Sequence, residues 1–298
     1  MAQKNVTAKI QMRNDTAAKW ESKNPVLAVG EIGYDTTNKK TKIGDGVTPW
    51  VNLDWFATKS KPNFATDSWS VINEYASTSA AADAYKVGDE KVIELSTGTQ
   101  ITLVILGFNH DNKTGGGKAG ISIGMKDMLP DYYVWNSNGS NANGWNGSEI
   151  RTQTMATLLT QLPADLQAVI KAVDKKASKG GTLTDILTSS DKLWLLSLAE
   201  IYSHSAISTS AWDVIKNYAT TYNAEGEQYE YWQNAIGDLD PNDNDEALIK
   251  YMNGGADAWW LRSPDVDDDG NAWFVGSVGF ADGGLVGDGH GVSFGFCV

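Results

Sequence analysis

Near its end the chain reads DVDDDGNAWFVGSVGFADGGLVGDGHGV (Asp265 to Val292), and the eight glycines among these 28 residues restrict what can form there. A glycine inside a helix costs about 1 kcal/mol relative to alanine, and the apolar residues follow no helical period. What remains is a set of short aromatic strands joined by turns: AWWLRS (258–263), AWFVG (272–276) and GVSFGF (291–296). In the middle one Trp273 and Val275 share one parity and Phe274 and Gly276 the other, which predicts a half-buried strand.

Upstream the periodicity changes. SWSVINEYASTSAAADAY (68–85) predicts a helix with Trp69, Ile72, Tyr75 and Ala76 on one face, and EKVIEL (90–95), a Ser96-Thr97-Gly98 turn and QITLVILGF (100–108) predict a hairpin. WNGSEIRTQTMATLLTQLPADLQAVIKAV (145–173) predicts two helices, the first capped by Ser148 and carrying Ile150, Met155, Leu158, Leu159 and Leu162, the second opened by Pro163. DKLWLLSLAEIY (191–202) and AWDVIKNYAT (211–220) predict two more. This part of the chain therefore reads as α+β, with helices in its middle and a small antiparallel sheet contributed by both ends.

Charge separates the beginning of the chain from the rest. Residues 1–61 carry a net charge of +4 and the remaining 237 carry -17. Short alternating segments at Ala8–Met12, Glu31–Tyr34 and Lys40–Ile43 between turn clusters predict a small β-rich unit over residues 1–58, a linker at 59–66 and a second domain over 67–298. About 55 residues bury too little surface alone, so self-association through this unit is expected.

The overall charge of -13 and only three arginines (Arg13, Arg151, Arg262) argue against a nucleic-acid partner, whose phosphates need clustered cations. No run approaches the roughly 18 apolar residues of a membrane helix, and the first 20 residues lack the apolar core of a signal peptide; synthesis in the cytoplasm without membrane insertion is the expectation. The single cysteine, Cys297, leaves no internal disulfide or multi-cysteine zinc site and reads as a buried small hydrophobe.

Two segments resemble known families. IQMRNDTAAKWESKNPVLAVGEIGYDTTNKKTKIGDGVTPWVNL (10–53) resembles the N-terminal domain of phage major tropism determinants and related tail-fibre proteins in the spacing of Arg13, Thr16, Trp20, Gly33-Tyr34, Lys42-Ile-Gly-Asp-Gly46 and Trp50. YKVGDEKVIEL, VILGFNHD, KAGISIGMKDML, WNGSEIR, WWLRSP and AWFV, in that order across 85–292, resemble C-type-lectin-fold variable proteins of diversity-generating retroelements. The closing Gly291-Val-Ser-Phe-Gly-Phe296 departs from the Gly-Val-Arg-Pro-Ala-Phe frequent in that family, so those positions receive no framework role.

The resemblance implies a C-type lectin-like domain preceded by a small all-β, β-prism-like trimerisation domain. It implies a homotrimeric receptor-binding protein of the virion, at the phage tail tip, whose partner is a bacterial cell-surface protein or glycan. A retroelement acting on adenines of AAC codons never creates Lys, Glu, Gln or Met, and residues 265–298 contain none, although such residues make up 46 of the first 264. Avoidance of long side chains in Gly- and Asp-rich loops is the alternative cause. Because core positions respond to single methylene changes, variable positions must point outward. Trp259, Trp260, Leu261, Arg262, Trp273 and Val275 are then the scaffold. Asp265, Asp267, Asp268, Asp269, Phe274, Gly276, Val278, Phe280, Asp282, Leu285, Asp288 and His290 are the ligand-binding positions within a variable region at 259–292. Exposed aromatics in an acidic rim suit basic groups or carbohydrate hydroxyls.

The residues give little support to other chemistry. Asp265, Asp267 and Asp269 before Gly270 copy half of a calcium loop, but position 12 would be Gly276 instead of a bidentate Glu, so at most a weak calcium site is expected and no other cofactor. GDLDPNDNDEAL (237–248) reads as a solvated insertion. His110, His204 and His290 are far apart and no nucleophile elbow or zinc-protease helix occurs, so no catalytic residues are assigned. A surface-polysaccharide-degrading enzyme or a ligand-free structural tail protein stays as the alternative. Arg262 is expected to pair with a buried acid.

Overall fold

The computed structural model describes residues 11–56, 61–78, 80–210 and 218–298, which form two compact units divided between Lys61 and Pro62. In the first, β1 (Arg13–Asp15), β2 (Ile32–Asp35), β3 (Lys40–Ile43) and β4 (Trp55–Phe56) form one sheet in that order, parallel between β1 and β2 and antiparallel elsewhere. The unit is not all β. AAKWESK forms a helix over Ala17–Lys23, because good helix formers flank Trp20 and Asn24 closes the last turn in the left-handed conformation. Trp20 stacks on Trp50 with ring centroids 3.9 Å apart, and together with Leu27 and Leu53 they are the unit's buried core. Gly33 makes that stack possible, since a Cβ there would lie 2.5 Å from Trp50 Cζ3. Most of the strand expected at Ala8–Met12 lies outside the described residues.

In the second unit β5 (Glu90–Glu94), β6 (Gln100–Phe108), β7 (Ile121–Met125), β11 (Trp194–Leu195) and β18 (Phe294–Cys297) form an antiparallel sheet ordered β11-β18-β7-β6-β5. Leu103 and Ile105 of β6 enter one apolar core and Val104 and Leu106 the other. Coverage on both faces explains why 100–108 is an uninterrupted apolar run instead of an alternating one. The helix Trp69–Ala76, capped by the Ser68 hydroxyl, buries Trp69, Ile72 and Ala76 against the first core. Phe64, expected within a linker, is buried edge to face against Trp69 and Tyr85.

Ser148 accepts a bond from Arg151 N at 3.3 Å, and the helix it opens begins as a π-turn over Ile150–Met155 before continuing as Ala156–Gln161. The second expected helix shrinks to Ala164–Gln167. From Val173 the chain forms a hairpin that sequence reading missed, β9 (Val173–Gly180) and β10 (Leu183–Asp191). Its turn holds Gly180, Gly181 and Thr182 at positive φ. The helix expected over 191–202 is confined to Leu198–Ile201, because Trp194 and Leu195 are drawn into the sheet as β11 beside β18. Of the helix expected over 211–220, residues 211–217 lie outside the described residues, and Ala219–Asn223 is helical.

The chain's last third adds a three-stranded antiparallel sheet, β14 (Trp259–Pro264), β15 (Asn271–Val275) and β16 (Ala281–Leu285). Two small ladders flank it: β12 (Lys250–Met252) with β13 (Gly255–Asp257), and β8 (Tyr133–Val134) with β17 (Gly289–His290).

Candidate functional site

Strands β14 and β15 bury Trp259, Trp260, Leu261, Arg262 and Val275 completely and leave Trp273 at 7% exposure. Around them Asp267, Asp268, Asp269, Asp282 and Asp288 are exposed, as are Val278 at 49% and Leu285 at 58%. Asp265, Phe274, Phe280 and His290 are half-buried. Gly276 is a correction: it is buried, and a Cβ there would approach Phe280 Cε1 to 3.0 Å. Phe280 folds back over that glycine, so it is not the exposed anchor expected.

The two-sided parity expected for β15 meets a sheet covered on both sides. Trp273 and Val275 enter one core, while Phe274 packs against the other through Trp260, edge to face at 6.2 Å. His290 closes this contact, 4.4 Å from Trp260 and 4.6 Å from Phe274 between ring centroids. Burial lowers the His290 pKa below the ordinary histidine value against the opposing pull of Asp288 and Asp257. At neutral pH the ring is uncharged and sits among aromatics accordingly.

The acidic turn after β14 is held from outside the 259–292 segment. Asn141, fully buried, directs its side-chain amide at the carbonyls of Asp265 (2.8 Å), Asp268 (3.0 Å) and Asn271 (2.7 Å), and its backbone N–H reaches Asp269 O at 2.6 Å. Asp265 and Asp268 accept from the backbone N–H groups of Asp267 and Gly270. Among the described residues no group of three His, Cys, Asp or Glu is placed to hold a metal ion. The second acidic loop is attached as well, with Ala281 N bonded to Pro241 O and Asp245 N to Gly279 O. It supports the turn between β15 and β16.

Behind β14 lies a buried ionic network. Arg262 forms a two-pronged pair with Glu200, one contact at 2.9 Å, and donates to the carbonyls of Lys176, Leu195 and Glu225. Lys175 bridges Asp111, Glu200 (2.8 Å) and the Tyr229 hydroxyl (2.9 Å). Ser263 donates to Glu225, whose other oxygen accepts from Ser178 N at 3.1 Å. Burial opposes ionisation of Asp111 and Glu200, but Lys175 and Arg262 outweigh it and hold both carboxyls below their usual values. Glu225 has weaker compensation, and burial pushes it up to about 7. Cys297 donates toward Asp111 at 3.3 Å, and burial raises its thiol well above the usual range. It is not poised as a nucleophile. Sequence reading anticipated an acid for Arg262 but not its identity: Glu200 lies in the helix Leu198–Ile201 and Glu225 just beyond Ala219–Asn223, and neither stands out among the 37 acids of the chain.

Residues 122–298 match the family described as a domain of unknown function, DUF6273. Residues 10–48 match the major tropism determinant N-terminal domain. Comparison with curated proteins gives no match. Among solved structures, a full-length Streptococcal bacteriophage hyaluronidase in complex with unsaturated hyaluronan octa-saccharides aligns at 27% identity and a TM-score of 0.17, over 20% of this chain and 16% of that one.

Proposed function

The chain belongs to the DUF6273 family and carries a segment similar to the N-terminal domain of phage tropism determinants, and we propose that it is a receptor-binding protein of a phage virion that attaches to a bacterial surface molecule. In this reading residues 1–58 assemble a homotrimer through a β-prism-like unit. The second unit is C-type lectin-like and presents the end formed by β14–β17 as a retroelement-diversified binding face.

The observation that carries the reading is the division of 259–292. Its three tryptophans and Arg262 are buried and tied to residues outside the segment, whereas Val278, Leu285, Asp288 and the Asp267–Asp269 turn are exposed on the same segment. A surface that must accept many sequences needs this separation, because exposed changes cost within about 0.5 kcal/mol and core changes several. Exposed apolar side chains on a segment rich in carboxylates also have the composition of a recognition patch. Action by binding instead of catalysis fits the engagement of the buried acids Glu200 and Glu225 by Arg262 and Ser263.

Substituting Val278→Ser, Leu285→Ser and Asp288→Lys together is expected to abolish adsorption to host cells with the near-ultraviolet dichroism unchanged. Normal adsorption by that variant would remove the face from consideration. Incubation with host polysaccharide tests the enzymatic alternative, since chain shortening would favour it. A monomer by light scattering would count against the trimer.

A further inference from the structure

The buried network behind β14 holds an amine against a carboxyl group in an arrangement that an ion pair alone does not need. Lys175 Nζ, on β9, touches Oδ1 of Asp111, which follows β6, and Glu200 Oε1 lies 2.8 Å from the same nitrogen. The other oxygen, Asp111 Oδ2, accepts from Ser122 Oγ at 2.5 Å, Tyr229 Oη at 2.8 Å and Cys297 Sγ at 3.3 Å. The Trp194 ring closes over the amine, its centroid 3.9 Å from Nζ. None of these residues is more than 6% exposed.

We propose that the folded chain joins Lys175 to Asp111 by an amide bond between Nζ and Cγ, with Glu200 carrying a proton. This self-catalysed cross-link is a further activity and does not depend on the receptor-binding reading. The ammonium passes one proton to Oδ1, and the freed amine attacks Cγ. A second proton leaves Nζ for Glu200 and is handed on to Oδ1. The Cγ–Oδ1 bond breaks, and Oδ1 departs as water. Three protons on nitrogen thus become one on the amide and two on the water, and no outside reagent enters. Charge that develops on Oδ2 meets the hydroxyls of Ser122 and Tyr229 and the thiol of Cys297, as in an oxyanion hole. Holding amine and carboxyl in contact supplies an effective concentration that reaches about 10⁵–10⁸ M in well-oriented intramolecular reactions. Arg262 is a positioning residue, whose contacts with Glu200 keep that carboxylate ionised as the base. His110 Nε2 donates to Glu227 O at 3.0 Å, which leaves Nδ1 as an acceptor 3.7 Å from Oδ1, the departing oxygen. A cleft of about 350 Å³, lined by His110, Asp111, Lys175 and Glu200, gives the water a way out. The product removes two charges from a buried site, where an ion pair bears the desolvation of both, and leaves Arg262 and Glu200 as a balanced pair.

Mass spectrometry of the full chain under denaturing conditions, and of its tryptic peptides, tests this directly. The wild type is expected to be lighter than its sequence by one water. Trypsin does not cut after an acylated lysine, so residues 92–113 and 172–176 are expected in a single branched peptide. Glu200→Gln is expected to keep the full sequence mass. Tyr229→Phe keeps the ring but loses the hydroxyl that touches both Nζ and Oδ2. With its near-ultraviolet dichroism retained, it is expected to accumulate the branched peptide at least about tenfold more slowly after cell-free synthesis. Should Glu200→Gln not fold, the wild-type mass and the Tyr229→Phe rate still decide. A wild-type chain at its full sequence mass would overturn the proposal. So would a water lost within one linear peptide at an Asp-Gly pair, or a branched peptide formed at the wild-type rate by either folded variant.

Discussion

Carboxylates occupy two regions of the second unit in opposite ways. At the β14–β15 turn Asp267, Asp268 and Asp269 are exposed to solvent. Asp111, Glu200 and Glu225, on the other side of β14, are buried and held by Lys175, Arg262 and Ser263. The same chemical group is replaceable in one place and irreplaceable in the other, because removing one partner of a buried pair leaves an unsolvated charge. This contrast anchors the segment through a few residues of β14 and leaves the turn after it in contact with solvent.

The contrast is broken most severely at Arg262. Arg262→Leu is expected to destabilise the protein by about 3–5 kcal/mol in chemical denaturation, since Glu200 loses its two-pronged partner. A loss under 1 kcal/mol would show that the network is solvated. Glu225 gives the next effect. Its carboxyl is raised from 4.5 to about 7, so the folded chain holds a proton that the unfolded chain releases across that window. Stability is therefore greatest below pH 4.5 as far as this group is concerned, and it falls as pH rises toward 7, by about 3 kcal/mol if the whole difference is expressed. Glu225→Gln should flatten that slope in melts taken from pH 5 to 8, and an unchanged slope would assign it elsewhere. The smallest effect belongs to the solvated side: Asp268→Asn or Asp269→Asn should change stability by less than about 0.5 kcal/mol. A larger loss from either would mean that the turn is held by its charges and not by Asn141.

Legibility in the sequence divides along the same line. The hairpin of 90–108, the helix at Trp69 and the inward pair Trp273 and Val275 follow from local pattern, because each answers to its own period and caps, whereas the burial of both Trp259 and Trp260 follows from the family resemblance and not from alternation. β9–β10 is hidden although Gly180-Gly181 marks its turn, since Lys175 stands at the inward position between Val173 and Ala177 and breaks the apolar alternation of the strand. Gly276 was placed on the surface by parity alone, and Phe280 reverses that by packing on it. Asn141 gave no signal: an asparagine in a polar loop reads as turn chemistry, and its partners lie 124 to 130 residues away.

By itself the sequence determined that the end of the chain is a succession of short strands separated by acidic, glycine-rich turns, because glycine content and side-chain alternation act within a few residues. Only the tertiary structure decided which acids are buried, that Gly276 is covered by Phe280 and which distant asparagine fixes the turn. Burial and hydrogen bonding are properties of neighbours in space, and here those neighbours come from the middle of the chain.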